Sequence, residues 1–342
     1  MTMTYHVVMA GLVPAIHVLR LAKTWMRGSS PRTTDAGGFA IPYEPDRLPP
    51  TKSKAGRNGM ADGIAAASRS VGAAKAAVAL TDVVVSFRVA VGTYTAIDRA
   101  TLKVGDGEFV AIVGPTGCGK STLLNIAAGL LAPAAGSVNI FGAPLAALNR
   151  QAGYLFQADA LFPWKTAIDN VAIGLETAGT PSEEARARAQ DWLTRVGLAA
   201  FADRYPHMLS GGQRKRVGLA QVLIRDPKIL LMDEPFGPLD AQTRQIMGNL
   251  LLQLWNADRK AVLFVTHDLE EAIALADRVV IMSAGPSARI IGDWRVTLPR
   301  PRDISEVRME KQFHELHREI WSVLKDEVMK GYAQSTLSAE AG

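Results

Sequence analysis

The stretch EFVAIVGPTGCGKST, residues 108–122, decides the fold. Its first part is nearly all apolar, as expected of a strand buried on both faces of a parallel sheet. The part from Gly114 to Ser121 matches the pattern G-x-x-x-x-G-K-[ST], and residues 120–130 predict a helix that ends near Pro133. A strand, a glycine-rich loop and a helix in this order are the setting of a phosphate-binding loop.

The residue types of this loop suit phosphate chemistry. Glycines let backbone N–H groups converge on phosphate oxygens, and the helix N-terminus adds a favourable dipole. We expect Lys120 to neutralise the β and γ phosphates of a nucleotide and Ser121 to offer its hydroxyl to Mg²⁺. The predicted nucleotide-binding residues of the loop are Gly114, Pro115, Thr116, Gly117, Cys118, Gly119, Lys120, Ser121 and Thr122.

A second chemical signal is the pair Asp233-Glu234, which ends the apolar run from Ile229 to Met232. Such a run predicts a buried strand whose carboxyl end, where ligands collect in parallel sheets, carries the two acids. We expect Asp233 to coordinate Mg²⁺, directly or through water. We expect Glu234 to polarise an attacking water, because γ-phosphoryl transfer needs a positioned base. A solvated acidic turn would not explain the apolar residues that precede the pair.

Predicted strands alternate with predicted helices through most of the chain. The strands lie at residues 83–87, 108–113, 228–233, 261–266 and 278–283, and the helices at 120–130, 241–255 and 269–276. This alternation predicts an α/β fold with a largely parallel sheet and helices on both faces. Residues 160–225 have a helical character, with a predicted capping box at Thr180 and Glu183. Residues 303–330 predict one terminal amphipathic helix that docks one face on the body.

Composition narrows the class of protein. The chain has 342 residues, of which 48% are hydrophobic, enough to bury a large core. Its single cysteine, Cys118, excludes an intrachain disulfide and a cysteine-based zinc cluster, and fits a reducing compartment. No stretch reaches the ~20 apolar residues of a membrane span, so a role at a membrane would need another chain to cross it.

The net charge of +5 belongs to the first 59 residues, which hold eight basic and three acidic side chains, whereas the remainder holds 30 of each sign. The main domain therefore has no basic excess that would favour nucleic acid as a partner. The composition of residues 1–59 predicts a disordered leader, and residues 60–77 a linker. Our hypothesis is that the natural start is Met60 and that residues 1–59 are a mis-called start; a real, flexible extension is the alternative.

Five motifs over residues 78–299 resemble, in their order, those of the ATPase subunits of ABC transporters. This resemblance implies a P-loop NTPase fold with a RecA-like, mostly parallel sheet core and an antiparallel β subdomain. It also implies an inserted α-helical subdomain at about residues 160–225. The ABC ATPase domain would span residues 78–300, followed by a C-terminal helical extension at 301–342.

The resemblance implies roles for residues outside the phosphate loop. The signature residues, which close over ATP bound to the opposite subunit of a dimer, are Ser210, Gly211, Gly212 and Gln213. Asp240 lies in the D-loop across that dimer. Gln157, in the Q-loop, contacts Mg²⁺ and the catalytic water and senses the membrane partner, and His267 is the switch histidine at the γ-phosphate. The implied catalytic residues are Glu234, His267 and Gln157, the Mg²⁺ ligands are Ser121, Gln157 and Asp233, and the cofactors are ATP and Mg²⁺.

The residue that stacks on adenine stays open between two aromatics. Phe87 fits the usual place if Val89 to Thr93 is an insertion, whereas Tyr94 lies nearer the phosphate loop in sequence. We favour Phe87. Simple core packing is the alternative for both side chains.

Three further segments resemble the nitrate/sulfonate/taurine importer subfamily: Leu161-Phe-Pro-Trp164, Asp233-Glu-Pro-Phe-Gly237 and Leu298-Pro-Arg-Pro-Arg302. The subfamily implies ATP-driven uptake of a small solute by a head-to-tail homodimer with integral membrane permease subunits. An extracytoplasmic substrate-binding protein takes part indirectly, and the ATPase is peripheral at the cytoplasmic face of the bacterial inner membrane. Phe162 and Trp164 lie either in the groove that receives the permease or buried inside the helical subdomain.

Two rival functions come from other classes. Soluble ABC ATPases in translation or DNA repair usually carry two cassettes or a long coiled-coil insertion, and this sequence has neither. An exporter ATPase is disfavoured by the lack of fused membrane spans. The sequence does not select the solute among nitrate, sulfonates, taurine and related molecules, because the binding protein and permease choose it.

Overall fold

The computed structural model describes residues 76–89 and 92–340, with side chains up to residue 333. The predictions for residues 1–59 and for most of the 60–77 linker lie outside the described residues. The strands are β1 (Val78–Arg88), β2 (Thr93–Val104), β3 (Phe109–Val113), β4 (Ala135–Ile140), β5 (Ala143–Pro144), β6 (Ala152–Leu155), β7 (Ile229–Asp233), β8 (Ala261–Val265), β9 (Arg278–Met282) and β10 (Ile290–Arg295). The α-helices are α1 (Lys120–Ala127), α2 (Ala167–Glu176), α3 (Ser182–Arg195), α4 (Gly211–Leu223), α5 (Ala241–Ala257), α6 (Leu269–Leu275), α7 (Ile304–Val307) and α8 (Lys311–Glu340).

A six-stranded sheet in the order β10-β9-β3-β8-β7-β6 forms the centre of the fold. The strands from β9 to β6 are parallel, and β10 pairs antiparallel with β9 at the edge. Val265 of β8 pairs with Ile112 of β3 on one side and with Asp233 of β7 on the other. The carboxyl ends of these three strands are therefore level, and the loops that follow them emerge side by side at one edge of the sheet.

A second, antiparallel sheet has the order β2-β1-β4-β5, and the helices α2, α3 and α4 pack around a separate apolar cluster that includes Val171, Leu193 and Val217. The predicted α/β class is thus confirmed, with a mostly parallel core, an antiparallel β subdomain and a helical subdomain. The domain boundaries stay a prediction.

The strand β3 shows how its apolar sequence builds the core. Side chains alternate between the two faces of a strand. Phe109, Ala111 and Val113 pack with α5, α6 and α8, whereas Val110 and Ile112 pack with α1 and the antiparallel sheet. All five are buried. The phosphate loop therefore emerges from a strand held on both faces by apolar contacts.

Several sequence predictions of element boundaries were wrong. The helix predicted to continue to residue 130 ends at Ala127, and Gly129 follows in a left-handed conformation with φ 72°. No side chain caps α3, so the capping box predicted at Thr180 and Glu183 is absent there. The predicted single terminal helix is two helices: α7, which Asp303 caps at its start and which ends at Val307, and α8, which begins at Lys311. The strands β2, β4, β5, β6 and β10 were not predicted, since strand formation depends on cross-strand packing and burial more than on local sequence, even for the 12 residues of β2.

Candidate active site

The loop between β3 and α1 has a backbone that requires glycine at several positions. Gly117 and Gly119 have φ of 78° and 100°, in the left-handed region that glycine adopts without strain. A Cβ at Gly114 would lie 2.8 Å from the carbonyl oxygen of Met282. No side chain caps the N-terminus of α1. Its first backbone N–H groups therefore suit a phosphate ligand.

The Lys120 side chain is held inside this loop. It is almost completely buried, and its Nζ donates hydrogen bonds to the carbonyl oxygens of Gly114 and Pro115, at 2.9 and 3.0 Å. Among the residues that the structure describes, no carboxylate forms an ion pair with this buried ammonium. Its position at the base of the loop therefore suits a phosphate group.

Ser121 and Asp233 bring two oxygen donors together from α1 and the end of β7. Ser121 Oγ donates to Asp233 Oδ1 at 2.8 Å. Burial raises the pKa of Asp233, the hydrogen bond from Ser121 lowers it, and the neighbouring Glu234 charge raises it. Hydroxyl and carboxylate oxygens are ligands that Mg²⁺ prefers, and a divalent cation would relieve the repulsion between the two acids. The residues present therefore fit Mg²⁺.

Glu234 is the meeting point of three predicted motifs. Its Oε2 lies 3.3 Å from Gln157 Nε2 and 3.3 Å from His267 Nδ1. Its backbone has φ 41°, which is uncommon for a residue other than glycine, and its N–H donates to the Val265 carbonyl oxygen at 2.9 Å. Backbone strain of this kind clusters at functional sites. The tertiary structure thus assembles one carboxylate, one amide and one imidazole beside the phosphate loop.

The signature residues do not join this cluster. The side chains of Ser210 and Gln213 form a capping box on α4, at 2.9 and 3.2 Å, and make no hydrogen bond to the phosphate loop within the described residues. A Cβ at Gly212 would lie 2.6 Å from Thr243 Cγ2, so the start of α4 packs against the start of α5. Asp240 caps α5 by accepting from Thr243 N at 2.9 Å, and hydrogen bonds from the Thr243 side chain and then from its backbone lower the pKa of Asp240.

Two aromatic side chains of the antiparallel sheet are the candidates for stacking on adenine. Phe87 pairs directly with Tyr94 in the register of β1 and β2, and both are 40% exposed. A Cβ at Gly285 would lie 3.6 Å from the Tyr94 hydroxyl oxygen and 3.7 Å from the Gly117 carbonyl oxygen. Tyr94 is therefore close to the phosphate loop in space as well as in sequence. The preference for Phe87 stays a prediction.

The structure also shows the surroundings of Cys118 and Trp164. Cys118 is buried, and burial raises the pKa of its thiol, as for a packing residue. Trp164 is 59% exposed, and its ring lies 5.3 Å from that of Phe162. Burial of Trp164 inside the helical subdomain is therefore wrong.

Sequence reasoning missed residues that hold the active-site loops. Arg244 on α5 donates from Nη1 to Asp268 Oδ2 at 3.2 Å and from Nη2 to the Leu239 carbonyl oxygen at 3.1 Å. It therefore ties the segment before Asp240 to the segment after His267. Arginine is common on helix surfaces, so no sequence signal marked it.

Glu271 was also missed, and it lies buried behind the His267 loop. Its Oε2 accepts from Thr266 Oγ1 at 2.5 Å, and Thr266 Oγ1 accepts from Asp268 N at 3.0 Å. Burial raises the pKa of Glu271 to about 7, opposed by the Thr266 hydrogen bond and assisted by the Asp268 charge. Arg244 and Arg308 oppose the shift more weakly.

We expect this carboxyl to make the folded state less stable as the pH rises. Its pKa is higher in the folded protein than the ordinary value of 4.5, so the folded state binds the proton more tightly. The stabilisation that this carboxyl contributes is fully present below pH 4.5 and is lost as the pH rises through about 7. The free energy of unfolding falls by up to about 3 kcal/mol over this range. Denaturant unfolding should show the wild type losing stability relative to Glu271→Gln from about pH 5 to pH 8. Glu270→Gln, an exposed neighbour, is the control; parallel curves for the wild type and Glu271→Gln would contradict the prediction.

Comparison with known proteins gives consistent matches. The family model described as ABC transporter matches residues 97–237. An uncharacterized ABC transporter ATP-binding protein of Methanocaldococcus jannaschii is 45% identical over 235 residues, 69% of this chain and 86% of the relative. A taurine import ATP-binding protein of Rhizobium johnstonii is 43% identical over 235 residues, 68% of this chain and 90% of the relative.

A solved structure is similar in fold. It is described as a dimeric post-hydrolysis state of an ATP-binding cassette bound to ADP and Pi. It matches with a TM-score of 0.58 and 32% identity, covering 65% of this chain and 100% of that chain. Within the residues described here, every helix is too short or too polar to cross a membrane.

Proposed function

This chain belongs to the ABC transporter family of ATP-binding proteins, and from that premise we propose that it is the ATP-hydrolysing subunit of an importer for a small solute. The observation that carries the proposal is the similarity to a taurine import ATP-binding protein over 90% of that relative. Taurine, another sulfonate or nitrate is the solute class that we propose. The rival roles in translation or DNA repair are not favoured, because taurine import ATP-binding proteins of two organisms are 43% and 44% identical to this chain.

We propose that the loop residues and the Glu234 cluster carry out hydrolysis. Lys120 and the N–H groups at the start of α1 bind the phosphates of ATP. Ser121, Asp233 and Gln157 would hold Mg²⁺, and the ion, when bound, would supply positive charge that stabilises the phosphates. Glu234 accepts a proton from the attacking water, while Gln157 and His267, each 3.3 Å from its carboxylate, orient that water and the γ-phosphate.

A homodimer would complete each site. The signature residues form hydrogen bonds within their own motif and not with the phosphate loop of the same chain. The Ser210 side chain caps the Gln213 N–H, and the N–H groups of Gly211 and Gly212 before it form an oriented pair suited to a phosphate. We propose that it closes over ATP bound to a second copy, head to tail, with Asp240 in the same interface.

We propose that the exposed Trp164, together with the half-buried Phe162, receives an integral membrane permease at the cytoplasmic face of the bacterial inner membrane. Trp164 is 59% exposed, and it precedes α2 at the surface of the helical subdomain. An exposed tryptophan packed on a second aromatic ring is typical of a protein interface. The permease and its extracytoplasmic binding protein would select the solute.

The test is recovery of the tagged full-length chain from detergent-solubilised native membranes. We expect the wild type to recover a polytopic membrane protein, identified by mass spectrometry. Trp164→Ala should recover roughly tenfold less of that protein, because an aromatic anchor buried in an interface contributes about 1–2 kcal/mol or more to binding. Basal ATPase activity should stay near the wild-type rate, while solute uptake is uncoupled from hydrolysis.

Trp321→Ala is the matched control, because Trp321 is an exposed tryptophan on α8, 42% exposed. Equal recovery of the membrane protein by Trp164→Ala and the wild type would refute the interface. Recovery of ribosomes or DNA-repair proteins in place of a permease would refute the import function. Growth of a deletion strain on taurine, a second sulfonate or nitrate as the single source would identify the solute.

A further inference from the structure

Lys215 is a buried cation on the signature helix. It lies two residues after Gln213, on α4, and its side chain is 5% exposed. Burying an ammonium costs several kcal/mol unless it is paired and hydrogen-bonded. A lysine in this position must therefore have specific partners, and those partners indicate what it does.

Within the described part of the chain, its polar partners all belong to the segment around Gln157. Lys215 Nζ donates to the Gln157 carbonyl oxygen at 2.5 Å and lies 3.5 Å from the Phe156 carbonyl oxygen. It also forms an ion pair with Asp159 Oδ1 at 3.1 Å. An ammonium has three N–H donors, and these three oxygens match them.

The contact leaves the side chain of Gln157 free for the active site. Lys215 holds the backbone carbonyl, whereas Gln157 Nε2 lies 3.3 Å from Glu234 Oε2. Asp159 strengthens the link, because its other oxygen accepts from Arg214 Nε at 2.8 Å. Two adjacent cations of α4 thus converge on the carboxylate that lies two residues after Gln157.

We propose that Lys215 is a positioning residue that fastens the Gln157 backbone to the signature helix, so that movement of α4 displaces the amide that faces Glu234. This inference rests on the proposed function. In the head-to-tail dimer, the start of α4 closes over ATP bound to the second copy. Lys215 then transmits the state of that site to Gln157 in the site of its own chain.

The link has a mechanical basis. Lys215 lies less than two helical turns from Ser210, so it moves with the signature as one rigid segment. The hydrogen bonds of Lys215 are charge-assisted and almost closed to solvent, which makes them stronger than neutral ones. A rotation of α4 therefore pulls the Gln157 carbonyl with it.

The test compares Lys215→Met with Lys215→Arg in the full-length chain. Methionine removes the donors at similar length, and arginine keeps a cation with donors. We expect Lys215→Met to lower kcat about tenfold and to raise the Mg²⁺ concentration for half-activation several-fold, with ATP affinity within about twofold of the wild type. Lys215→Arg should recover most of kcat, because a charge-assisted contact to the Gln157 carbonyl returns.

Arg216→Met is the matched control on the same helix. Arg216 contacts the Val196 carbonyl oxygen at 3.5 Å and none of the 156–159 segment, so its loss should change neither kcat nor Mg²⁺ activation.

If Lys215→Met does not fold, Lys215→Gln, which keeps one donor group, takes its place. Wild-type kcat and Mg²⁺ activation in a folded Lys215→Met or Lys215→Gln would overturn the proposal. The proposal would also be overturned if the kcat of Lys215→Arg were no higher than the kcat of Lys215→Met. Absence of ATPase activity in the wild type would instead refute the proposed function.

Discussion

The Glu234→Gln variant should bind MgATP and accumulate as a nucleotide-bound dimer while its ATPase rate falls by about 100-fold or more, the range for loss of a general base. An amide cannot accept the proton of the attacking water, yet glutamine has the shape of glutamate and can keep contacts with Gln157 and His267. The chemical step is therefore blocked while the phosphate loop stays intact. Dimers would persist because hydrolysis, which reopens them, is slow.

Steady-state ATPase assays and size-exclusion chromatography with MgATP measure both parts of this result. Glu184→Gln makes the same chemical change at an exposed residue in the first turn of α3 and serves as the control. Hydrolysis by Glu234→Gln at close to the wild-type rate would remove Glu234 from the role of base. Loss of ATP binding would show that the carboxylate is needed to hold the nucleotide.

The second large effect is expected from mixing two inactive variants. Lys120→Ala damages the phosphate loop, and Gly211→Asp puts a negative charge where the signature would meet phosphate. A Cβ at Gly211 has ordinary contacts, 3.8 Å from Leu239 Cδ2, so aspartate fits there without a clash. Each homodimer should lose ATPase activity, because both of its composite sites contain a damaged half.

A heterodimer of the two variants should recover one intact site. The phosphate loop of the Gly211→Asp chain then faces the signature of the Lys120→Ala chain, and both are undamaged. An equal mixture forms heterodimers in about half of its dimers, so the expected rate is roughly a quarter of the wild type if the sites act independently. Nucleotide trapping should find one ATP in each heterodimer even if turnover needs both sites.

The matched control mixes Lys120→Ala with Ser121→Ala, both in the phosphate loop. Their heterodimer has a damaged loop in each site and should stay inactive. If signature and phosphate loop served the same ATP within one chain, neither mixture would regain activity or trap ATP, and the head-to-tail proposal would fail. Independent ATPase activity of the Gly211→Asp homodimer would show that the signature is not needed.

Much of the candidate site could be predicted because its parts follow individual strands. Gly114, Glu234 and Thr266 each come directly after an apolar strand, and parallel strands with level ends bring such residues to one edge. The meeting of Gln157 and His267 at Glu234 follows from that topology. The terminal helices were less predictable, since the cap at Asp303 marks where α7 begins but not that it ends at Val307, one turn later.

By itself, the sequence determined the class of fold and the chemistry of the site, because strand, glycine loop and helix are local patterns with local physical causes. Only the tertiary structure decided which distant side chains meet. It put Lys215 on the carbonyl of Gln157, 58 residues away, buried Glu271 behind His267, and left Trp164 exposed. Partners of this kind depend on how helices and sheets pack, and neither periodicity nor spacing along the chain encodes that packing.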